Sequence, residues 1–565
     1  MRVMSMPMIA LVVILTACGS RVESADIVLR GGVVRTMEAA ATPVTASSVA
    51  VRGGRIVHVG GDQDASALIG PETEVVELEG RLVLPGFHDT HVHALDGGIA
   101  ETECDLRPAA SRDQLVRVIG ECVVAAGPAP WLRGGGYDPT LFPGGEPPRE
   151  LLDSLVSDRP AYLTDATEHA AWVNSRALAA AGIDARTSEP SAGVIVRRAD
   201  GSPQGTLREG AMQLVAGLLP PRTDAELEHA LERGLAIAAS LGITTLYEAA
   251  AEERTVRAYA AVEADGSVTA RARLFVLAEP GRGGEQAQEI AGLRDRYGGA
   301  LVQVAGAKIF LDGVLEGGTA ALLEPYLGPS GGLGELRWPS PDSLAALVGS
   351  LEAAGLTAHF HAIGDRAVRA ALDAVERARA TGGGAIGARH VVAHAQLIDP
   401  IDLPRLAALG VVVSFQPLWA QRDAYITELT EPRVGAERSS RLYPIRSVLA
   451  TGAVVAAGSD WPVTSMDPLD AIEVAVTRRN EMAAPGEPWL PAERITVEEA
   501  VGAYTRGAAH AGGLQDRSGV IGAGMLADLV VLDRDIFTID PTEISEARVD
   551  LTLLEGRVVF RRPPG

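Results

Sequence analysis

The stretch Leu84-Pro85-Gly86-Phe87-His88-Asp89-Thr90-His91-Val92-His93 constrains this chain more than any other. Residues 81–84 are largely aliphatic and read as a short strand, which Pro-Gly then punctuates. His91 and His93 stand two apart, and side chains at that spacing share a face in extended backbone. Two imidazoles therefore point the same way at a strand end, where one divalent metal can take both. A bare His-x-His pair is equally compatible with ordinary surface or core histidines. This chain, however, has only eleven histidines, and others recur at strand ends downstream, which favours the metal reading.

The region that follows alternates strands with helical stretches, the pattern of a parallel α/β sheet. Eight strand candidates end in polar, functional residue types: 81–84, 243–248, 272–279, 304–312, 356–361, 390–396, 411–417 and 453–460. A helix is predicted over about 224–241, before the second of them. Eight such units fit a (β/α)8 TIM-like barrel, assigned to residues 85–514, a fold that needs ~250 residues and accepts insertions. The surplus is an insertion at about 100–225. It would rise from the catalytic face as a lid or substrate wall, with Trp131, Tyr137 and His169 as candidate substrate contacts. The alternative is that these rings serve the insertion's own packing. Residues 26–84 and 515–565 are β-rich at both ends of the chain, and together they are predicted to complete one small β-sandwich. At 565 residues the chain is long enough for both units. Its net charge of −23 opposes binding to nucleic-acid phosphates.

Met1-Arg2 and the apolar run at 9–15 read as a signal peptide over 1–17, too short to span a bilayer. Leu15-Thr16-Ala17-Cys18 resembles the lipobox of bacterial lipoproteins. That resemblance implies lipidation at Cys18, a tether over 18–25, and an exported, lipid-anchored protein of the cell envelope. Gly19 rather than Asp follows the cysteine, so the inner-membrane retention signal of many Gram-negative lipoproteins is missing. In such a cell the periplasmic face of the outer membrane is expected. An ordinary secretory signal with an incidental cysteine is the alternative. Cys104 and Cys122 are the remaining cysteines and are read as free thiols, although the compartment would permit a disulfide.

Catalytic groups in such barrels come from the C-terminal ends of different strands. Here those ends supply His91 and His93, Lys308, His359 and His361, His394, and Asp460. Imidazole suits zinc and its first-row neighbours, and a carboxylate can act as ligand or base. The motifs Pro-Gly-Phe-x-Asp-x-His-x-His, Lys-Ile-Phe-x-Asp-Gly, His-Ala-Ile-Gly-Asp, His-Ala-Gln and Gly-Ser-Asp-Trp-Pro occur in that order. Together they resemble the amidohydrolase superfamily, in its amidohydrolase family 3 branch, from about residue 26 to 560. The resemblance implies His91, His93, His361, His394 and Asp460 as ligands of one or two divalent ions, with zinc expected. It also implies that Lys308 is carboxylated to bridge two metals. A lysine salt-bridged inside the barrel, or one that orders Asp312 beside a single metal, is the alternative.

His359 is assigned behind His361, and His88 and Asp89 are read as groups that fix the ring orientation of the ligands. His390 and Arg389 are read as structural. After Asp312-Gly313 many relatives carry Gly-Ser-Arg-Thr, whereas this chain has Val314-Leu-Glu316-Gly-Gly-Thr319, so Glu316 joins the candidate substrate contacts. The expected reaction is hydrolysis of a C–N, amide-type bond in a small molecule by a metal-activated hydroxide, with Asp460 as general acid and base. A deaminase, a cyclic-amide or ester hydrolase on the same site, and a non-catalytic envelope lipoprotein are the alternatives. The sequence leaves the oligomeric state open, a homodimer included.

Overall fold

A computed structural model describes residues 23–38, 46–166, 170–190, 193–328, 331–338, 340–380, 387–480 and 487–563. The signal peptide, Cys18 and His169 lie outside the described residues. Among the described residues no helix is long and apolar enough to cross a membrane.

Eight parallel strands form the central sheet: β1 (Phe87–Val92), β2 (Ile243–Ala251), β3 (Arg271–Leu277), β4 (Val302–Phe310), β5 (Thr357–Ala362), β6 (Val391–His394), β7 (Val412–Phe415) and β8 (Val455–Ala457). They pair in chain order from β1 to β8. The ring closes through the segments after the outer strands: Asp460 N donates to His91 O at 2.7 Å, and His93 N to Trp461 O at 2.9 Å. Thr90 Oγ1 adds a bond to Ala457 O at 2.8 Å. Both faces of this sheet are covered, which is why Val-Val-Ala-His, Val-Val-Ser-Phe and Val-Ala-Ala suffice as strands without polar alternation. The expected helix spans Asp224–Ser240 and starts at a capping box in which Thr223 Oγ1 accepts from Glu226 N and Glu226 Oε2 accepts from Thr223 N.

The structure corrects the first strand. Leu82–Pro85 does not belong to the barrel; it pairs antiparallel with Leu529–Leu532. The chain changes sheets at the Pro-Gly step: Gly86 N donates to Asp528 O at 2.8 Å, and Phe87 N, next in sequence, donates to Gly242 O at 2.9 Å. A four-stranded sheet drawn from residues 27–77 and a five-stranded sheet drawn from both chain ends share an apolar core that includes Leu29, Val49, Val83, Leu529 and Leu551.

The insertion builds its own six-stranded sheet, in the order Gly193–Arg197, Pro203–Glu209, Ala170–Val173, Ala161–Asp165, Leu132–Tyr137, Cys104–Asp105. Here the free-thiol expectation fails. Helix Arg112–Ala125 folds back on the edge strand and brings Cys122 within 5.4 Å (Cα to Cα) of Cys104, and the two form a disulfide. Tyr137 is fully buried in the insertion's own core, its ring edge-on to Phe142 and Trp172. Trp131 packs on the insertion's second core. Tyr137 thus has the packing role and no face free for substrate, whereas Trp131 is half-buried.

Candidate metal centre

His91, His394 and Asp460 present donor atoms that all lie within 4.8 Å of one another, and all three residues are buried. His394 and Asp460 adopt left-handed backbone (φ 74° and 58°), a rare conformation for side chains of this kind and one that clusters at functional sites. His93 Nε2 is 3.2 Å from Asp460 Oδ1 and His91 Nε2 3.5 Å from it. His93 has 20% of its side chain exposed, against 1% for His91 and 2% for His394, so it marks the side that solvent reaches. Lys308 Nζ, fully buried on β4, lies 2.8 Å from His91 Nε2 and 4.9 Å from the Phe310 ring centroid.

His361 stands beside the group rather than within it. Its ring centroid is 4.5 Å from that of His394, and its Nε2 is held by Gly313 O at 3.2 Å, which leaves Nδ1 as its free donor atom.

Each remaining ring has an orienting partner. His394 Nδ1 is 2.7 Å from Gln416 Oε1, so its proton belongs there and its lone pair on Nε2. That Nε2 is buried and has no hydrogen-bond partner among the described residues. An orphaned buried nitrogen is costly unless something else occupies its lone pair, and a metal ion does so. The donor set therefore fits a divalent cation. Trp419 stacks on the other side of His394, with planes 1° apart and centroids at 5.4 Å, and donates from Nε1 to Thr464 Oγ1 at 3.1 Å.

The charge states of His91, His361 and His394 suit a metal, whereas His93, against burial, is raised by the hydrogen bond to Asp460. Burial, reinforced by the charges of Lys308 and His394, holds the His91 and His361 imidazoles well below their ordinary range, and burial brings His394 down to about 4. All three are neutral at pH 7, the form a metal requires. Burial also opposes ionisation of Asp460, but the hydrogen bond from His93 and the charges of His394, His93 and Lys308 outweigh it and hold the carboxyl well below the usual range. Lys308 is pushed down to about 7 by burial, against the pull of Asp460.

Other predicted residues take different places. Asp89 pins backbone, not rings: it accepts from His91 N at 3.1 Å, Ser459 N at 3.0 Å and Ser459 Oγ at 2.5 Å, tying β1 to the segment after β8. His88 turns toward Ser518 Oγ at 3.3 Å, away from the ligands. Asp312 accepts from Ala321 N, Ile363 N and Gly364 N at 2.8 to 3.0 Å and so anchors the loops after β4 and β5. His390 is structural as read, bonded to Ala358 N at 3.0 Å and Glu352 Oε1 at 2.8 Å. Glu316 is half-buried in the loop after β4. After burial, it is the largest cause of the raised phenol of Tyr443, and it adds, behind Asp138, Asp165 and Asp423, to that of Tyr425. Asp138 and Asp165 act on Tyr425 in the same way.

Sequence reasoning missed Gln416 and Ser459. The signal was a polar residue at the end of a wholly buried strand, Ser-Phe-Gln after Val-Val. It also missed Glu248, which accepts from Ala94 N at 2.8 Å and Tyr259 OH at 2.6 Å and so fixes the turn after His93.

A model described as the amidohydrolase family matches residues 74–560. The chain belongs to the amidohydrolase family. This amidohydrolase is 31% identical over 503 residues to the putative amidohydrolase YtcJ of Bacillus subtilis (strain 168), covering 87% of this chain and 91% of that protein. It is 28% identical over 552 residues to the N-substituted formamide deformylase of Arthrobacter pascens, covering 95% and 98%. Among solved structures, an uncharacterized metal-dependent hydrolase from Pyrococcus furiosus superposes with a TM-score of 0.73 at 26% identity, over 91% of this amidohydrolase and all of that chain. The family expected from the order of the motifs is the family found.

Proposed function

We propose that this amidohydrolase hydrolyses C–N, amide-type bonds in a small molecule. In this reading one or two divalent ions, zinc the best suited, are held by His91, His93, His361, His394 and Asp460. The observation that carries it is the convergence of His91, His394 and Asp460 around an orphaned His394 Nε2. A divalent ion bound there would lower the pKa of a water toward neutrality and polarise a carbonyl. Asp460, ionised and bonded to His93, is placed to accept a proton from the attacking water and hand it to the leaving nitrogen. That second transfer matters because an unprotonated amine is a poor leaving group.

Lys308 is read as carboxylated: its neutral amine adds to CO2 and loses a proton, which replaces a cation beside the metal ligands by an anion. The likeness to a deformylase of N-substituted formamides supports an amide substrate. The two terminal sheets are read as the β-sandwich. The lipobox at Cys18 is read as an envelope anchor, and the Cys104–Cys122 disulfide supports an oxidising compartment.

The test is elemental analysis of the purified protein, followed by assay of N-formyl and N-acyl amines before and after chelation. One or two equivalents of metal and release of a carboxylate plus an amine are expected. Release of ammonia would move the reading to deamination, and a protein without metal or turnover would leave a binding scaffold.

A further inference from the structure

His359 is not needed as a ligand, yet it sits fully buried in the barrel with its Nε2 2.8 Å from Nδ1 of His91. Strand register explains the contact. Lys308 and His359 are paired residues of β4 and β5, and His91 projects between them, its Nε2 toward the lysine and its Nδ1 toward the histidine. If His91 gives its Nε2 lone pair to a metal, its proton must reside on Nδ1, and the group placed to accept that proton is His359 Nε2. His359 must then carry its own proton on Nδ1. That nitrogen is buried without a hydrogen-bond partner among the described residues, and the ring lies against Phe275 with centroids 4.8 Å apart. Ala358 and Phe360, the neighbours of His359 on β5, point to the opposite face, so on its own face the imidazole meets the Phe275 ring rather than a polar partner for Nδ1. A half-satisfied buried imidazole costs stability unless its satisfied half has a task.

We propose that His359 is a positioning residue. It accepts the Nδ1 proton of His91, fixing that ring's tautomer and orientation so that Nε2 faces the metal. The inference rests on the metal-centre reading above. It adds that a neutral imidazole here does what a carboxylate or backbone carbonyl does behind most ligand histidines.

The test measures metal affinity and geometry, not turnover. Wild type, His359→Leu, His359→Gln and His359→Asn, with His394→Ala as the ligand control, are stripped of metal. Their melting is compared, and they are titrated with Zn²⁺ against a chromophoric chelator and with Co²⁺ by visible absorption. Gln can place its Oε1 where His359 Nε2 lies, whereas Asn reaches only to the position of Nδ1. Expected is a loss of about 10–100-fold in Zn²⁺ affinity for Leu and Asn, the usual effect of losing such a partner, with Gln close to wild type. The Co²⁺ band should change in Leu and Asn but not in Gln. Wild-type affinity and an unchanged Co²⁺ band in the Asn and Leu variants would overturn the proposal while leaving the metal site intact. If His359→Leu does not fold, the contrast between Gln and Asn decides alone. Failure of wild type to bind either ion would instead sink the metal-centre reading itself.

Discussion

Asp460 is held ionised by groups that also hold it still. Its Oδ1 faces His93 and His91, its backbone N is bonded to His91 O, and its own backbone is left-handed. Asn in its place keeps an oxygen donor of similar reach but cannot take a proton. We expect Asp460→Asn to retain metal and lose roughly 10²–10⁴-fold in kcat, the scale of acid–base catalysis. Elemental analysis read beside steady-state kinetics checks this, and near-normal turnover would remove Asp460 from proton transfer. Residues of this kind were legible because metal chemistry demands a narrow choice of side chains at strand ends. His91, His93, His394 and Asp460 could be picked from eleven histidines and many carboxylates for that reason. Gln416 and Ser459 were not, since an amide or a hydroxyl at a strand end has many uses and only three-dimensional proximity selects one.

The helix that follows His93 locates the ligand turn. It spans Ala94–Thr102 and packs on helix Asp224–Ser240 so closely that a Cβ on Gly98 would stand 1.9 Å from Ala230 O. Gly98→Val must push the two helices apart and carry His93 with them. The expected cost is about 1–3 kcal/mol, the range for overpacking, measured by denaturant unfolding, together with weaker metal binding. An unfolding midpoint equal to wild type would mean that the helix shifts freely. In the insertion, the disulfide joins an edge strand of two residues to a helix. Cys104→Ser is expected to cost about 2–4 kcal/mol of the insertion's local stability, seen as faster proteolytic cleavage within residues 104–165. An unchanged cleavage rate would show the cross-link to be dispensable. Elements were legible where burial on both faces forces aliphatic runs, as in β6 and β7. They were not where composition is ambivalent: Leu-Val-Leu-Pro serves a barrel or a flanking sheet equally well. Gly134-Gly135-Gly136 likewise hides a strand, because its glycines are there to let Cys104 and Thr164 approach and not to make a turn. Cysteine pairing depends on which helix folds onto which strand, and spacing alone does not encode that.

At the scale of the whole molecule, the C-terminal segment is fastened to the foot of the barrel through buried polar contacts. Thr552 Oγ1 donates to Ala239 O at 2.7 Å. Arg271, on β3, reaches Asp528 at 3.2 Å and Glu555 at 2.9 Å. Arg271 and Asp528 have side chains only 4% and 2% exposed, so neither can fall back on water. Burial raises the Asp528 carboxyl, with Arg271 pulling the other way, so losing the guanidinium leaves the burial effect less opposed. We expect Arg271→Met to destabilise the protein by about 3–5 kcal/mol, the cost of stranding one partner of a buried pair. Arg271→Met combined with Asp528→Asn should recover part of that loss, because no charge is then buried alone. The pH dependence has a definite sign. A carboxyl whose folded pKa lies above its unfolded value stabilises the fold while protonated, and that contribution is lost as pH rises through the folded value. The deficit of the single variant should therefore shrink on acidification, while that of the double variant should vary less. Urea unfolding of the three proteins at acidic and neutral pH measures both effects. A pH-independent deficit in Arg271→Met would mean that Asp528 reaches solvent once its partner is gone, and the bond from Thr552 Oγ1 to Ala239 O would then carry more of the attachment of the C-terminal strands to the barrel.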